Sequence, residues 1–392
     1  MMRILKQFKM YRFFTIICLF FSVALFGQAQ KANPDIWIRE GYKLEVVENS
    51  ISTPRFMQMD DKGVLYISLP GKGEIKACKD KNNDGFFETI TTFTKNHTRV
   101  HGMHFAAGWL WFAKNGAIMK ARDTNGDGVA DEEIEVIHKD QIPSGGGHWW
   151  RPVLIHNNRI YTAIGCSGNI TEEVDSERLK IWSLALDGTD KQLYCDGLRN
   201  TEKLVIRPGT NEIWGMDHGS DWFGKKIEEK YDKGQPIKDW NPSGEMNFYQ
   251  KGKFYGHPYI VGNKIPRYEY MYKSDIIDWA NKTEPPAWST GAHWAPNAMT
   301  FYNGKQFPNE IKGDAFVAFH GSWNRSEKGG YQVARVLFEE GKPYGQLPFV
   351  KFLSPNGDVI GRPVDILVEP SGSILISDDF GDKIYRLTYV GN

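Results

Sequence analysis

Cysteine is scarce in this 392-residue sequence: there are four, and Cys18 lies inside an N-terminal apolar run. The other three, Cys78, Cys166 and Cys195, allow at most one disulfide, so cross-links cannot be the main scaffold. No second long apolar stretch follows Phe26, which leaves no basis for stable membrane insertion by a helix. Net charge is missing as well, with 48 basic residues against 48 acidic ones. Four of the basic residues lie in the N-terminal segment and no acidic residue does, so the remainder carries 44 against 48, a net of −4. Such a surface gives no reason to expect nucleic acid or an anionic membrane as partner. Zinc-ligand spacings, a phosphate-cradling glycine loop and a dinucleotide fingerprint are also absent, which disfavours nicotinamide- or ATP-dependent chemistry.

Arg3, Lys6, Lys9 and Arg12 precede the apolar run Phe13–Phe26, and Gly27, Gln28 and Ala29 supply small or polar residues where a signal peptidase cuts. Residues 1–29 therefore read as a signal peptide, and the mature chain, 30–392, as periplasmic or secreted. Within it one pattern recurs: a polar residue, an alternating apolar strand, a Gly or Asn turn, then a second strand. It starts near residues 55, 101, 151, 200, 296 and 362, and the first four starts are spaced as propeller blades of four strands are. The expected fold is all-β, a six-bladed β-propeller. The long gap between the fourth and fifth starts, about 221–292, reads as a large loop insertion on one face. A propeller must hide its strand edges. "YKLEVVE" (42–48) and "KIYRLTYV" (383–390), at opposite ends of the chain, are expected to share a blade.

Two acidic loops stand out. "DKNNDGFFE" (80–88) and "DTNGDGVADEE" (123–133) place oxygen side chains at positions one, three and five with glycine at six, which for Asp80, Asn82 and Asp84, and for Asp123, Asn125 and Asp127, is a layout that wraps a hard cation. Asp-Gly and Asn-Gly also form ordinary turns, and each loop is expected after the second strand of its repeat. The polar residues at repeat starts carry more information. His101, His148, Arg199 with Asn200, and Arg362 fall where propeller chains converge on the central axis. Two arginines and two histidines facing one cavity suit an anionic ligand, with an imidazole free to move a proton. In "SGGGHWWRP" (144–152) three glycines run into such a histidine, and Trp149, Trp150, Trp294 and Trp323 offer flat surfaces for a ring.

The segments "GGGHWWRPVLIHNNRIYTAIG", "DGLRNTEKLVIRPGTNEIWGMDHGSD", "GEMNFYQKGKFYGHPY", "AFHGSWNRS" and "GRPVDILVEPSGSILISDDFGDKIYRLTY" together resemble the glucose/sorbosone dehydrogenase family, most closely its sorbosone-dehydrogenase-like branch. The resemblance runs from about residue 40 to the C-terminus. It implies a pyrroloquinoline quinone (PQQ) cofactor with calcium, a sugar-like small-molecule substrate, and an external electron acceptor such as a cytochrome or quinone. It implies His148 as catalytic base, Arg199, Asn200 and Arg362 as cofactor contacts alongside His101, and the Gly219 and Ser220 carbonyls as calcium ligands. Cys166 stands about where the family orients its histidine with a carboxylate, Val364 about where it has a second cofactor arginine, and residues 222–243 are extra. Two other readings compete. A metal-dependent propeller lactonase needs carboxylates and amides converging on one axial ion, where this chain has His and Arg. A non-catalytic carbohydrate- or partner-binding propeller would keep the aromatics without the base.

Overall fold

The structure, a computed structural model, describes residues 30–139, 141–222 and 237–391; the proposed signal peptide lies outside them. Six antiparallel sheets follow one another around an axis, four of them with four strands and the fifth and sixth each with a short extra strand at the rim. Their innermost strands are Met57–Met59, Met103–Ala106, Leu154–His156, Thr201–Ile206, Pro296–Phe301 and Pro363–Val368, within three residues of the six starts expected from the repeats. Each second strand is packed on both faces, so Leu65–Leu69 and Ala315–Phe319 are buried at every position and read as unbroken apolar runs. Alternation is confined to strands nearer the rim.

Apolar clusters fill the gaps between neighbouring blades. Tyr66, Ile75 and Phe93 of the first blade meet Met103 and Phe112 of the second, and Trp214 and Met246 of the fourth meet Met299 and Phe319 of the fifth. The three cysteines are free and buried: Cys78 and Cys195 belong to these clusters, and the disulfide that the sequence allows is not formed.

Closure occurs where expected. Tyr42–Glu48 pairs antiparallel with Lys383–Tyr389 and becomes the outer strand of the sixth blade, Val46 lying opposite Tyr385 and Leu44 opposite Leu387. A second clasp comes from Trp37–Ile38, which extends the fifth blade through Lys351 and Val350. The N-terminal segment thus holds two blades together.

The long stretch after the fourth start is organised differently from a single loop. Ser243–Tyr249 and Trp288–Ala292 are the third and fourth strands of the fourth blade, so the extra chain leaves from within that blade. Its excursion over 250–287 has its own small core of Phe254, Tyr259, Ile260, Tyr270 and Ile276, under the short helix α1 (Ile276–Lys282). The acidic loops also shift by one strand. They join third to fourth strands of the first two blades, after Glu74–Lys79 and Ala117–Arg122, because the inner strands are shorter than the repeat spacing suggested. Among the described residues no helix is long and apolar enough to cross a membrane.

Val46 is 5% exposed. Val46→Asp should therefore place an unpaired carboxylate in the closing blade and lower unfolding stability by about 3 kcal/mol or more, read from the urea midpoint. Lys43→Ser on the exposed face of the same strand should change it by no more than about 0.5 kcal/mol. Equal, small effects would show that closure contributes little.

Candidate functional site

In an antiparallel blade the first strand begins where the second ends, so both positions sit at one end of the axial channel. Residues just before the first strands and just after the second strands therefore share a face. They line one cavity of about 430 Å³, containing Arg55, His148, Arg199, Asn200, His218, Asn297, His320 and Arg362, with Glu202 at its floor and Trp323 at its rim. Four of the expected residues, His148, Arg199, Asn200 and Arg362, are brought together here. His101 lies behind the wall, buried between Phe56 and Trp150, with Nε2 3.5 Å from Glu202.

His148 is held by the glycine-rich loop 144–152. Arg151, buried at 1% exposure, donates to the carbonyls of His148 (2.8 Å), Trp150 (3.1 Å) and Pro143 (3.2 Å). Arg178 donates to the carbonyls of Ser144, Gly145 and Gly165. Gly146 makes room for the second clamp: it has φ +82°, and a Cβ there would lie 2.8 Å from the Arg178 guanidinium, while one at Gly147 would lie 3.0 Å from the Ser167 carbonyl. Close approach in this loop is thus to other protein groups. The imidazole itself donates from Nδ1 to the Cys166 carbonyl at 2.8 Å. That bond fixes the tautomer and leaves Nε2 as an acceptor. The side chain of Cys166 turns to the Thr171 carbonyl, 3.8 Å away. A backbone oxygen therefore does the orienting expected of a carboxylate. Burial, reinforced by the charge of Arg199, pushes the imidazole down to about 3.

Glu202 organises the opposite wall. Its carboxylate accepts from Asn200 Nδ2 (3.1 Å) and Arg55 Nη2 (3.3 Å) and lies near His218 Nε2 (3.7 Å). Burial alone would push Glu202 up, but contacts with His101, His218 and Arg55 hold it well below the usual carboxylate range. Arg55 also pairs with Asp379 (2.6 Å), which binds His320 Nε2 (2.8 Å), and its guanidinium stacks 4.3 Å over Trp150. Val364 is fully buried in the core; the added cation at the site is Arg55, from another blade.

The remaining two arginines differ in how far they are satisfied. Arg199 donates to the Asn169 carbonyl and side chain and to the Gly219 carbonyl (each 2.9 Å) and reaches Asp221 at 3.2 Å. Asp217, which caps the backbone N–H groups of Arg199 and Asn200, holds both at the strand entrance. The Arg362 guanidinium donates to the carbonyls of His320 (3.1 Å) and Gly321 (3.2 Å) and has no carboxylate partner among the described residues, while the backbone N–H of Arg362 donates to Asp378 (2.8 Å). Asn200 Oδ1 and His218 Nε2 are buried without a hydrogen-bond partner. An uncompensated guanidinium beside unpaired polar atoms fits an anionic, polar occupant. Ser220 Oγ is held by Arg267 and Trp222, and Gly219 has one carbonyl lone pair already engaged by Arg199.

A family model described as TrAA12-like matches residues 36–389. The chain belongs to the TrAA12-like family. A protein of Borreliella burgdorferi is 27% identical over 405 residues, spanning 98% of this chain and 99% of its own length. Among solved structures, the calcium structure of the Trichoderma reesei carbohydrate-active enzyme of family AA12 superposes with a TM-score of 0.77 at 18% identity, covering 92% of this chain and 98% of that one. The holo PQQ domain of Coprinopsis cinerea pyranose dehydrogenase gives 0.75 at 17% identity, covering 92% and 99%. The apo soluble aldose sugar dehydrogenase of Escherichia coli gives 0.63 at 18%, covering 89% and 99%. At such identities the likeness establishes the propeller fold, which this TrAA12-like chain shares with PQQ-type sugar dehydrogenases.

Arg55 and Asn297, which open the first and fifth blades, also line the cavity, and their place at repeat starts is the sequence signal that marks them. His218, His320 and Asp379 follow second strands, a position that antiparallel geometry alone puts on the same face. Trp294 packs against Phe319, whereas Trp323 is 74% exposed at the rim. Of the two acidic loops, the first brings Asp80, Asp84 and Glu88 within 4.8 Å of one another. In the second, Asp123, Asn125 and Asp127 accept backbone N–H groups of their own turn, at 2.6–2.8 Å. Asn82 does the same for Asp84 in the first.

Neutral His148 should persist well below the ordinary range. In histidine-labelled protein its imidazole should remain the Nδ1–H tautomer at pH 5, by nitrogen NMR, and a cationic signal there would contradict the buried geometry. The sign for stability follows. The unfolded chain takes up this proton near pH 6.5 and the folded chain only near 3, so this residue costs stability as the pH falls between those values.

Proposed function

We propose that the chain is an exported quinoprotein oxidoreductase that oxidises an alcohol or hydrated aldehyde group of a sugar or sugar-derived substrate. PQQ would be its cofactor, and the electrons would pass to an external acceptor such as a cytochrome or quinone. The observation that carries this reading is His148: a neutral imidazole with Nδ1 committed to the Cys166 carbonyl and Nε2 free, in a cavity that holds an uncompensated arginine. Arg362 would take a cofactor carboxylate, and Arg199 and Asn200 would contact the quinone on the other side of the cavity. When bound, PQQ supplies a two-electron acceptor, and calcium, through oxygens such as those of Gly219 and Ser220, a Lewis acid. His148 Nε2 accepts the substrate hydroxyl proton, and the Cys166 carbonyl steadies the imidazolium that results. Glu202 and Asp379 hold Arg55 and His320 in place on the cavity wall. The acidic loop at Asp80, Asn82 and Asp84, and that at Asp123, Asn125 and Asp127, would hold calcium as a brace.

Titration of metal-free protein with PQQ and calcium, followed by absorbance, tests the cofactor. His148→Ala should bind PQQ as the parent does while sugar oxidation falls by about 10²-fold or more. Arg362→Ala should weaken PQQ binding by about 1.5–3 kcal/mol. A parent that binds no PQQ, or a His148→Ala variant that turns over like the parent, would overturn the reading. Chelation should lower the Tm of the parent and leave an Asp80→Ala, Asp123→Ala double variant unmoved, since an ion held only by the folded state stabilises it. A shift of equal size in both would remove the loops from the metal account.

A further inference from the structure

A second and larger cavity, of about 810 Å³, lies on the far side of Trp150. It shares Arg55 and Trp150 with the first, so an occupant of one is separated from an occupant of the other by a single layer of side chains. Nothing in the reaction proposed above uses it. Its volume falls in the range that takes a ligand larger than one sugar ring.

Its lining has two properties. Trp149 and Trp150 lie against one another with ring centroids 3.6 Å apart, Trp149 also beneath the Arg99 guanidinium and Trp150 beneath that of Arg55, so the pair lines the cavity as an apolar wall against which the apolar side of a pyranose can pack. The charges are of one sign: Arg55, Lys72 and Arg99 line the cavity, and no aspartate or glutamate does among the described residues. Arg55 is neutralised by Asp379 and Glu202. Lys72 and Arg99 form no ion pair among the described residues. The Arg99 guanidinium instead lies 4.8 Å over the Trp149 ring. Two cations without an ion pair, beside an apolar wall, form an anion site with a side suited to a saccharide.

We infer that this cavity is a subsite for an anionic saccharide residue, packed against Trp149 and Trp150 and held through its carboxylate, sulfate or phosphate by Arg99 and Lys72. The substrate class would then be an acidic oligosaccharide whose neighbouring ring reaches His148. That last step rests on the oxidoreductase reading, but occupancy of the subsite does not, because none of Lys72, Arg99 and Trp149 lines the first cavity.

The test is binding to cofactor-free protein, read by tryptophan fluorescence and calorimetry. The probes are digalacturonate, a sulfated disaccharide and neutral galactobiose. Either or both anionic probes should bind at least ten-fold tighter than galactobiose, more weakly as salt rises, and Arg99→Glu or Lys72→Glu should each weaken them ten-fold or more while leaving PQQ binding unchanged. Which anionic probe binds tighter identifies the acidic group. Equal affinity for neutral and anionic probes, no binding at all, or full affinity in an Arg99→Glu, Lys72→Glu double variant that keeps the parent's Tm and PQQ affinity would overturn the proposal. Failure of PQQ to bind the parent would instead strike the oxidoreductase reading and leave the subsite result standing.

Discussion

Ring closure is the constraint on which the rest of the molecule depends. The axial cavity has no existence in any one blade: Arg55 comes from the first, His148 from the third, Arg199 and Asn200 from the fourth, Asn297 from the fifth and Arg362 from the sixth. These residues face one another only because Tyr42–Glu48 and Lys383–Tyr389, more than 330 residues apart, complete the sixth sheet. A propeller with a gap there would expose two strand edges and let the axial side chains splay.

Closure creates an electrostatic problem at the axis, and the local chemistry follows from its solution. Six first strands deliver backbone ends and polar side chains to a narrow, buried channel. Glu202 receives Arg55 and Asn200 beside two histidines, Asp379 receives Arg55 and His320, and Asp217 receives the N–H groups of Arg199 and Asn200. Each carboxylate is surrounded by donors, as a buried charge requires. Among the described residues that line the cavity, the Arg362 guanidinium is left without a carboxylate partner. In a network otherwise paired, it is the point of uncompensated positive charge.

The six-blade order, the closing strands and four axial residues were legible in the sequence because each depends on a local pattern repeated at a fixed spacing. What escaped depended on relations between distant segments. Val364 is part of an apolar core, and the arginine that brings charge to the site is Arg55, some 300 positions earlier; only the fold makes one substitute for the other. The stretch after residue 221 looked like one insertion because Ser243–Tyr249 and Trp288–Ala292 are separated by an excursion with its own core. In "SGGGHWWRP" the groups that crowd Gly146 and Gly147 are Arg178 and the Ser167 carbonyl, both distant enough in sequence that no local pattern names them.

The bond between His148 and the Cys166 carbonyl has a consequence for how this protein can change. An orienting carboxylate is a side chain, and one codon replacement deletes it. A main-chain oxygen is present whatever amino acid is encoded at that position, so drift at residue 166 can reshape the neighbourhood of the imidazole without removing its acceptor. The orientation of the imidazole is in this respect shielded from point mutation at its own partner, and position 166 is released to serve packing instead.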